Sequence, residues 1–144
     1  MQDLNTMPAL HHVSIVTRDL DRACGFYSDL IGLTRIPRPN FTTPGIWLQA
    51  GDLSVHLILW PQGHFRQQSV VDPADTHFAL AVEDFDATMT KLQDHGYRLD
   101  ATAGDPHRLV VLRNGVAGYA QAYLLDPDWN ILELNAARLT PSGL

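Results

Sequence analysis

The chain has 144 residues, 45% of them hydrophobic and 18% charged, with a formal net charge of −6. That length allows one ordinary domain with a real core, and that balance excludes a disordered chain. The acidic excess, with no cluster of Lys or Arg, argues against a nucleic-acid or anionic-membrane surface.

The opening MQDLNTMPAL has no basic segment followed by an apolar core, so no secretory leader is expected. No apolar run approaches the roughly 20 residues needed to span a bilayer. Cys24 is the single cysteine, which excludes an internal disulfide and fits a reducing, cytoplasmic setting. It falls inside a predicted helix, where it reads as a half-buried packing residue.

Alternation predicts the first strand at HVSIVT: Val13, Ile15 and Thr17 point one way, and His12, Ser14 and Val16 the other. Asp19 or Asp21 can cap a helix over about 21–31, since a short carboxylate accepts from free backbone N–H groups. Ala23, Phe26, Tyr27, Leu30 and Ile31 form its apolar stripe, and Gly32 ends it. A second strand is expected over 34–38. The stretch PRPNFTTPG reads as a loop. Segments 46–50 and 53–60 then read as a β-hairpin joined at Gly51-Asp52. Segment 60–75 is polar and proline-punctuated, as a linker would be.

The second half repeats this grammar. A strand over 77–82 is followed by a helix opened by Asp84 or Asp86, carrying Ala87, Met89, Leu92 and His95 and closed by Gly96. Strands are expected near 97–101 and 109–112, and a last pair over 120–125 and 130–135 flanks DPDWN. An offset of 65 residues superposes His12 on His77 and Asp19 on Asp84. The expected division is a tail over 1–8, a first unit over 9–60, a linker over 61–75, a second unit over 76–136 and a tail over 137–144, all within one domain.

Each unit therefore reads as strand, helix and further strands, with the apolar set opposite the histidine packed on the helix. The histidine side carries small residues, Ser14, Ala79 and Ala81, which suits a curved sheet around a cavity. A two-residue turn pairs Trp47 with His56 and Gln49 with Ser54; a DPDWN loop pairs Tyr123 with Glu133. By parity, His12, His56, His77 and Glu133 then share the open face, with Trp47, Gln49, Gln121 and Tyr123 shaping the pocket. A glutamate in the apolar run NILELN is rarely buried unless paired or metal-bound. Three imidazoles and a carboxylate suit one divalent ion: Zn²⁺, Ni²⁺, Mn²⁺, Fe²⁺ or Co²⁺. His11 falls on the wrong face, and His64, His95 and His107 lie in loops or at a helix end, so these four read as bystanders.

HHVSIVTRDLDRACGFYSDLIGL, THFALAVEDFDATMTKLQDHGY and YLLDPDWNILEL together resemble the vicinal oxygen chelate superfamily, which includes glyoxalase I, fosfomycin-resistance and bleomycin-binding proteins and extradiol dioxygenases. Trp129 stands where that family's hairpin more often has Gly. The resemblance implies an α+β fold of two paired βαβββ units. They form a curved mixed sheet around a cleft, with helices on the outer face. It also implies ligands at His12, His77 and Glu133, with His56 where glyoxalase I enzymes typically have Glu. The expected protein is a metal-dependent homodimeric enzyme of the glyoxalase I type, a lyase or an isomerase/epimerase. It would act on a small oxygen-chelating substrate through a metal-stabilised oxyanion, with Glu133 moving the proton. The alternatives are an Fe(II) extradiol-type dioxygenase, a thiol transferase of the fosfomycin type, or a non-catalytic drug-binding protein.

Overall fold

The computed structural model describes residues 6–137, so the outermost parts of the two expected tails, 1–5 and 138–144, lie outside the described residues. The alternating run at the start forms β1, His12–Thr17. Asp19 then caps a helix by accepting from the Arg22 amide. This helix, α1, is α-helical over Leu20–Cys24 and continues as a π-helix over Gly25–Leu30, closed by the five-back bond from the Ile31 amide to the Phe26 carbonyl (2.9 Å). The wider turn departs from the uniform α-helix predicted here, yet Ala23, Phe26 and Tyr27 still reach the core.

Next come β2 (Thr34–Ile36), β3 (Gly45–Ala50) and β4 (Leu53–Leu59). The second strand stops two residues short of expectation because Pro37 and Pro39 carry no N–H to continue a ladder. In the second unit, β5 is His77–Ala81 and α2 is Phe85–Asp94, capped by Asp84 through the Ala87 amide. Phe85, Met89 and Leu92 form the buried stripe of α2, at spacings of four and three. Ala87 and His95, expected on that stripe, are exposed instead. Gly32 and Gly96 close the two helices with φ of 97° and 95°, a backbone region that costs a side-chain-bearing residue.

The strand expected near 97–101 does not form. That segment makes a single bridge, Arg98 to Arg108, and is anchored by buried Tyr97, whose hydroxyl donates to the Leu125 carbonyl. The remaining strands are β6 (Val110–Leu112), β7 (Gln121–Leu125) and β8 (Ile131–Asn135).

These strands make two four-stranded mixed sheets of matching order, β1-β4-β3-β2 and β5-β8-β7-β6. The first and last strands of each unit pair in parallel, and the rest are antiparallel. Both helices lie on the sheet faces away from the histidines and share one core: Phe26 and Tyr27 join Leu48, Leu57, Met89, Leu92, Leu124 and Leu134. Tyr27 of the first unit stacks on Phe78 of the second, with ring centroids 6.3 Å apart. Segment 60–76 is more than a spacer, because Val71 is buried against Tyr123, Leu125 and Ile131 on the open face of the second sheet.

Candidate functional site

The hairpin registers place the candidate residues on the open faces. Trp47 pairs with His56 and Gln49 with Ser54 across β3 and β4; Tyr123 pairs with Glu133 across β7 and β8. Directly opposed residues point to the same side. The candidates fall into two groups, one per sheet.

On the second sheet, His77 Nε2 lies 3.6 Å from Glu133 Oε1. His77 Nδ1 lies 2.7 Å from the Asp75 carbonyl oxygen. A carbonyl can only accept, so Nδ1 carries the proton, and in the neutral ring Nε2 presents its lone pair toward the carboxylate. Two facing acceptors repel unless a proton or cation lies between them. The 3.6 Å separation fits a shared ion at ligand distances of about 2.0–2.2 Å, and the bond from Nδ1 to a carbonyl is the support a ligating histidine commonly has.

Glu133 is buried and held from several sides. Gln121 Nε2 donates to its Oε1 (3.2 Å) and Asn135 Nδ2 to its Oε2 (2.6 Å), while the Tyr123 hydroxyl donates from the facing strand. Burial works to raise this carboxyl. The donors Tyr123, Asn135 and Gln121, with His77 nearby, outweigh it and hold Glu133 below the usual carboxylate range. Tyr123 is pushed the other way, up to about 12, first by burial and then by Glu133, so it remains a donor at neutral pH. Sequence reasoning did not single out Asn135. Its signal was present: two residues after Glu133 on the same strand, it must share Glu133's face.

On the first sheet, three rings form a stack: His12 on His56 (centroids 4.1 Å, 14° between planes) and His56 on Trp47 (4.0 Å, 5°). His56 is buried, and its Nε2 is 2.9 Å from the Ser54 hydroxyl. Burial, then the neighbouring His12, His11 and Arg38, lower its pKa, so the ring stays neutral. His11 is not detached from the site, since its Nδ1 meets that of His12 at 2.9 Å. Gln49 turns away and donates to the Gly51 carbonyl of its own turn. Arg38, two residues beyond β2, lies beside this stack, with Cζ 4.9 Å from the Phe41 ring, which is itself tilted at 6.1 Å from Trp47.

Among the described residues, no hydrogen bond, ion pair or ring contact joins the two groups, and no three His, Cys, Asp or Glu side chains gather closely enough to hold a metal ion. One chain thus carries the four candidates as two separate pairs, His12 with His56 and His77 with Glu133.

Comparison with known proteins gives a consistent picture. A family model described as Glyoxalase/Bleomycin resistance protein/Dioxygenase superfamily matches residues 9–134. The chain is 26% identical over 130 residues to "Glyoxylase I 4" of Arabidopsis thaliana, covering 89% of this chain and 70% of that one. It is 28% identical over 138 residues to the glutathione transferase FosA of Serratia marcescens, covering 92% and 84%. Its fold matches that of the fosfomycin resistance protein FosX of Listeria monocytogenes, solved with Mn(II) and dihydroxypropylphosphonic acid, at a TM-score of 0.68, with 16% identity and coverage of 93% and 95%.

Proposed function

The chain belongs to the glyoxalase/bleomycin resistance protein/dioxygenase superfamily, and from that premise we propose that it is a divalent-metal-dependent enzyme of the glyoxalase I type, a lyase or isomerase/epimerase. The reading is carried by the His77–Glu133 pair, an imidazole nitrogen and a carboxylate oxygen facing each other at 3.6 Å. His77, Glu133 and His12 would hold the ion, with His56 as the fourth donor. Ser54 already occupies Nε2 of His56, so its ligation requires exchanging that partner. Bound there, a divalent cation supplies Lewis acidity toward two neighbouring oxygens of a small substrate.

The remaining chemistry belongs to the chain. Glu133 takes and returns the substrate proton, as a carboxylate kept ionised by its neighbours can. Tyr123, Gln121 and Asn135 fix the direction of its oxygens. The stack of Trp47 on His56 forms a flat wall for the substrate and keeps water from that side. Because the donors of one chain lie in two half-sets, we place the complete site between two copies, each supplying His12 and His56 to one site and His77 and Glu133 to the other.

Metal analysis by mass spectrometry on the purified protein is the test, followed by reconstitution with each candidate ion. The expected result is one ion per chain and a large loss of affinity in His77→Ala. A wild type without affinity for any divalent ion would sink the reading. The same two-histidine, one-carboxylate set also suits an Fe(II) dioxygenase; oxygen uptake with a catechol only on iron loading would favour that alternative.

A further inference from the structure

Arg38 has no role in the proposed reaction, yet its setting is unusual. The residue is half-buried, and its guanidinium lies against Gly45, which shares the open face of the first sheet with Trp47. A Cβ at position 45 would meet the Leu57 carbonyl oxygen at 2.7 Å, then Arg38 Nη2 at 2.8 Å and Cζ at 2.9 Å, so the neighbouring strand's backbone and the guanidinium together leave room only for glycine. Nη2 donates to the Thr43 carbonyl at 2.8 Å. Nε is buried with no hydrogen-bond partner. Arg18, Arg66, Arg98 and Arg113 each face a carboxylate. Among the described residues Arg38, like Arg22, Arg35 and Arg108, faces none, and what sets it apart is its buried, unpartnered Nε. Withdrawing a guanidinium from water without a counter-charge is costly, and one bond to a neutral carbonyl does not offset it.

Its surroundings are those of a binding surface. Arg35, Arg38, Pro39, Asn40, Gly45 and Trp47 line a cavity of about 300 Å³, with the 54% exposed Phe41 ring beside it. Trp47, which lines this cavity, stacks on His56. A guanidinium with no carboxylate partner beside the exposed Phe41 ring suits a small molecule with an apolar body and an anionic end.

We propose that Arg38 is the anion anchor of this cleft, taking a carboxylate, phosphate or phosphonate oxygen of the substrate. This deepens the enzymatic reading above and rests on it for the word substrate, and it narrows the substrate class to anionic molecules.

The test is NMR titration of the ¹⁵N-labelled, chelator-treated protein with benzoate, with inorganic phosphate, and with neutral benzamide as control, reading the Arg38 Nε–H and Trp47 indole signals. Saturable shifts with either anion and none with benzamide support the anchor. Phosphate alone would point to phosphate or phosphonate substrates, and benzoate alone to carboxylates. Arg38→Gln should weaken binding at least about tenfold, the loss expected when one charge-assisted bond goes. Arg38→Lys, which keeps the charge without the fork, should retain part of it, and far-UV circular dichroism checks the fold of both. Shifts that are absent, unchanged in Arg38→Gln or matched by benzamide overturn the proposal. Metal titration of the same samples separates the two readings: a wild type that binds benzoate but no metal removes the enzymatic reading and leaves the anion site standing.

Discussion

At the residue scale, the bond from His77 Nδ1 to the Asp75 carbonyl decides which nitrogen faces Glu133, and Ser54 occupies the corresponding nitrogen of His56. The two histidines should therefore differ on substitution. His77→Ala should lower metal affinity by more than about 100-fold, while Asn135→Ala, which removes a support of Glu133, should cost about 10–100-fold. His56→Ala should cost less than about tenfold, because its donor atom is already engaged; calorimetric titration with Zn²⁺ or Mn²⁺ ranks the three. Glu133 also makes a pH prediction. Its folded-state pKa lies below the ordinary carboxylate value, so the stability it contributes is present above that value and lost as pH falls through the folded one. Tyr123→Phe removes a donor and should move the Glu133 titration to higher pH, which carboxyl ¹³C NMR of the metal-free protein would follow.

At the element scale, the turn DPDWN between β7 and β8 ties the two units together. Asp126 accepts from the Tyr27 hydroxyl (2.7 Å), from the Asp128 and Asn130 amides (both 2.9 Å) and from Asn130 Nδ2 (2.8 Å). Asp128 accepts from Thr17 and from the Arg18 amide at the end of β1. Trp129 takes φ of 68°, which explains why glycine suits this place, and its ring packs beside the cluster of Val71, Tyr123, Leu125 and Ile131. Burial raises the Asp126 carboxyl despite its four donors. A raised folded-state pKa means that the group's contribution is most favourable below the ordinary carboxylate range and declines as pH rises through the folded value. Tyr27→Phe removes one of the bonds that hold this carboxyl down. It should destabilise the protein by about 1–3 kcal/mol, with a larger loss at neutral pH than in acid, as urea unfolding at the two pH values would measure.

At the scale of the whole molecule, the matched half-sites make a complementation test possible. If each site joins His12 and His56 of one copy to His77 and Glu133 of another, His12→Ala and His77→Ala homodimers each lack a full site. Mixing the two after mild dissociation creates heterodimers in which one site has both defects and the other has none. Metal binding and any activity should then return toward half the wild-type level per dimer. No recovery in a mixture shown by native mass spectrometry to contain heterodimers would place all four donors in one chain instead. Among the described residues no helix is long and apolar enough to cross a membrane.

The sequence by itself determined whatever depends on near neighbours. Alternation located β1 and β5. The caps at Asp19 and Asp84 and the stops at Gly32 and Gly96 bounded the helices. The two hairpin turns set the registers Trp47–His56 and Tyr123–Glu133, and so the faces of six of the eight candidate residues, while alternation set those of His12 and His77. Local signals misjudged the second half of α1, where a π-turn replaces the α-helix. They also misjudged 97–101, where apolar alternation was present but the chain makes only one bridge. The tertiary structure alone decided how the units meet, because Tyr27 reaches Asp126 across 99 residues and no short-range pattern encodes that pairing. It alone laid Arg38 against Gly45 and divided the four candidates into two pairs, since the core shared by both helices and both sheets sets where the two open faces end up.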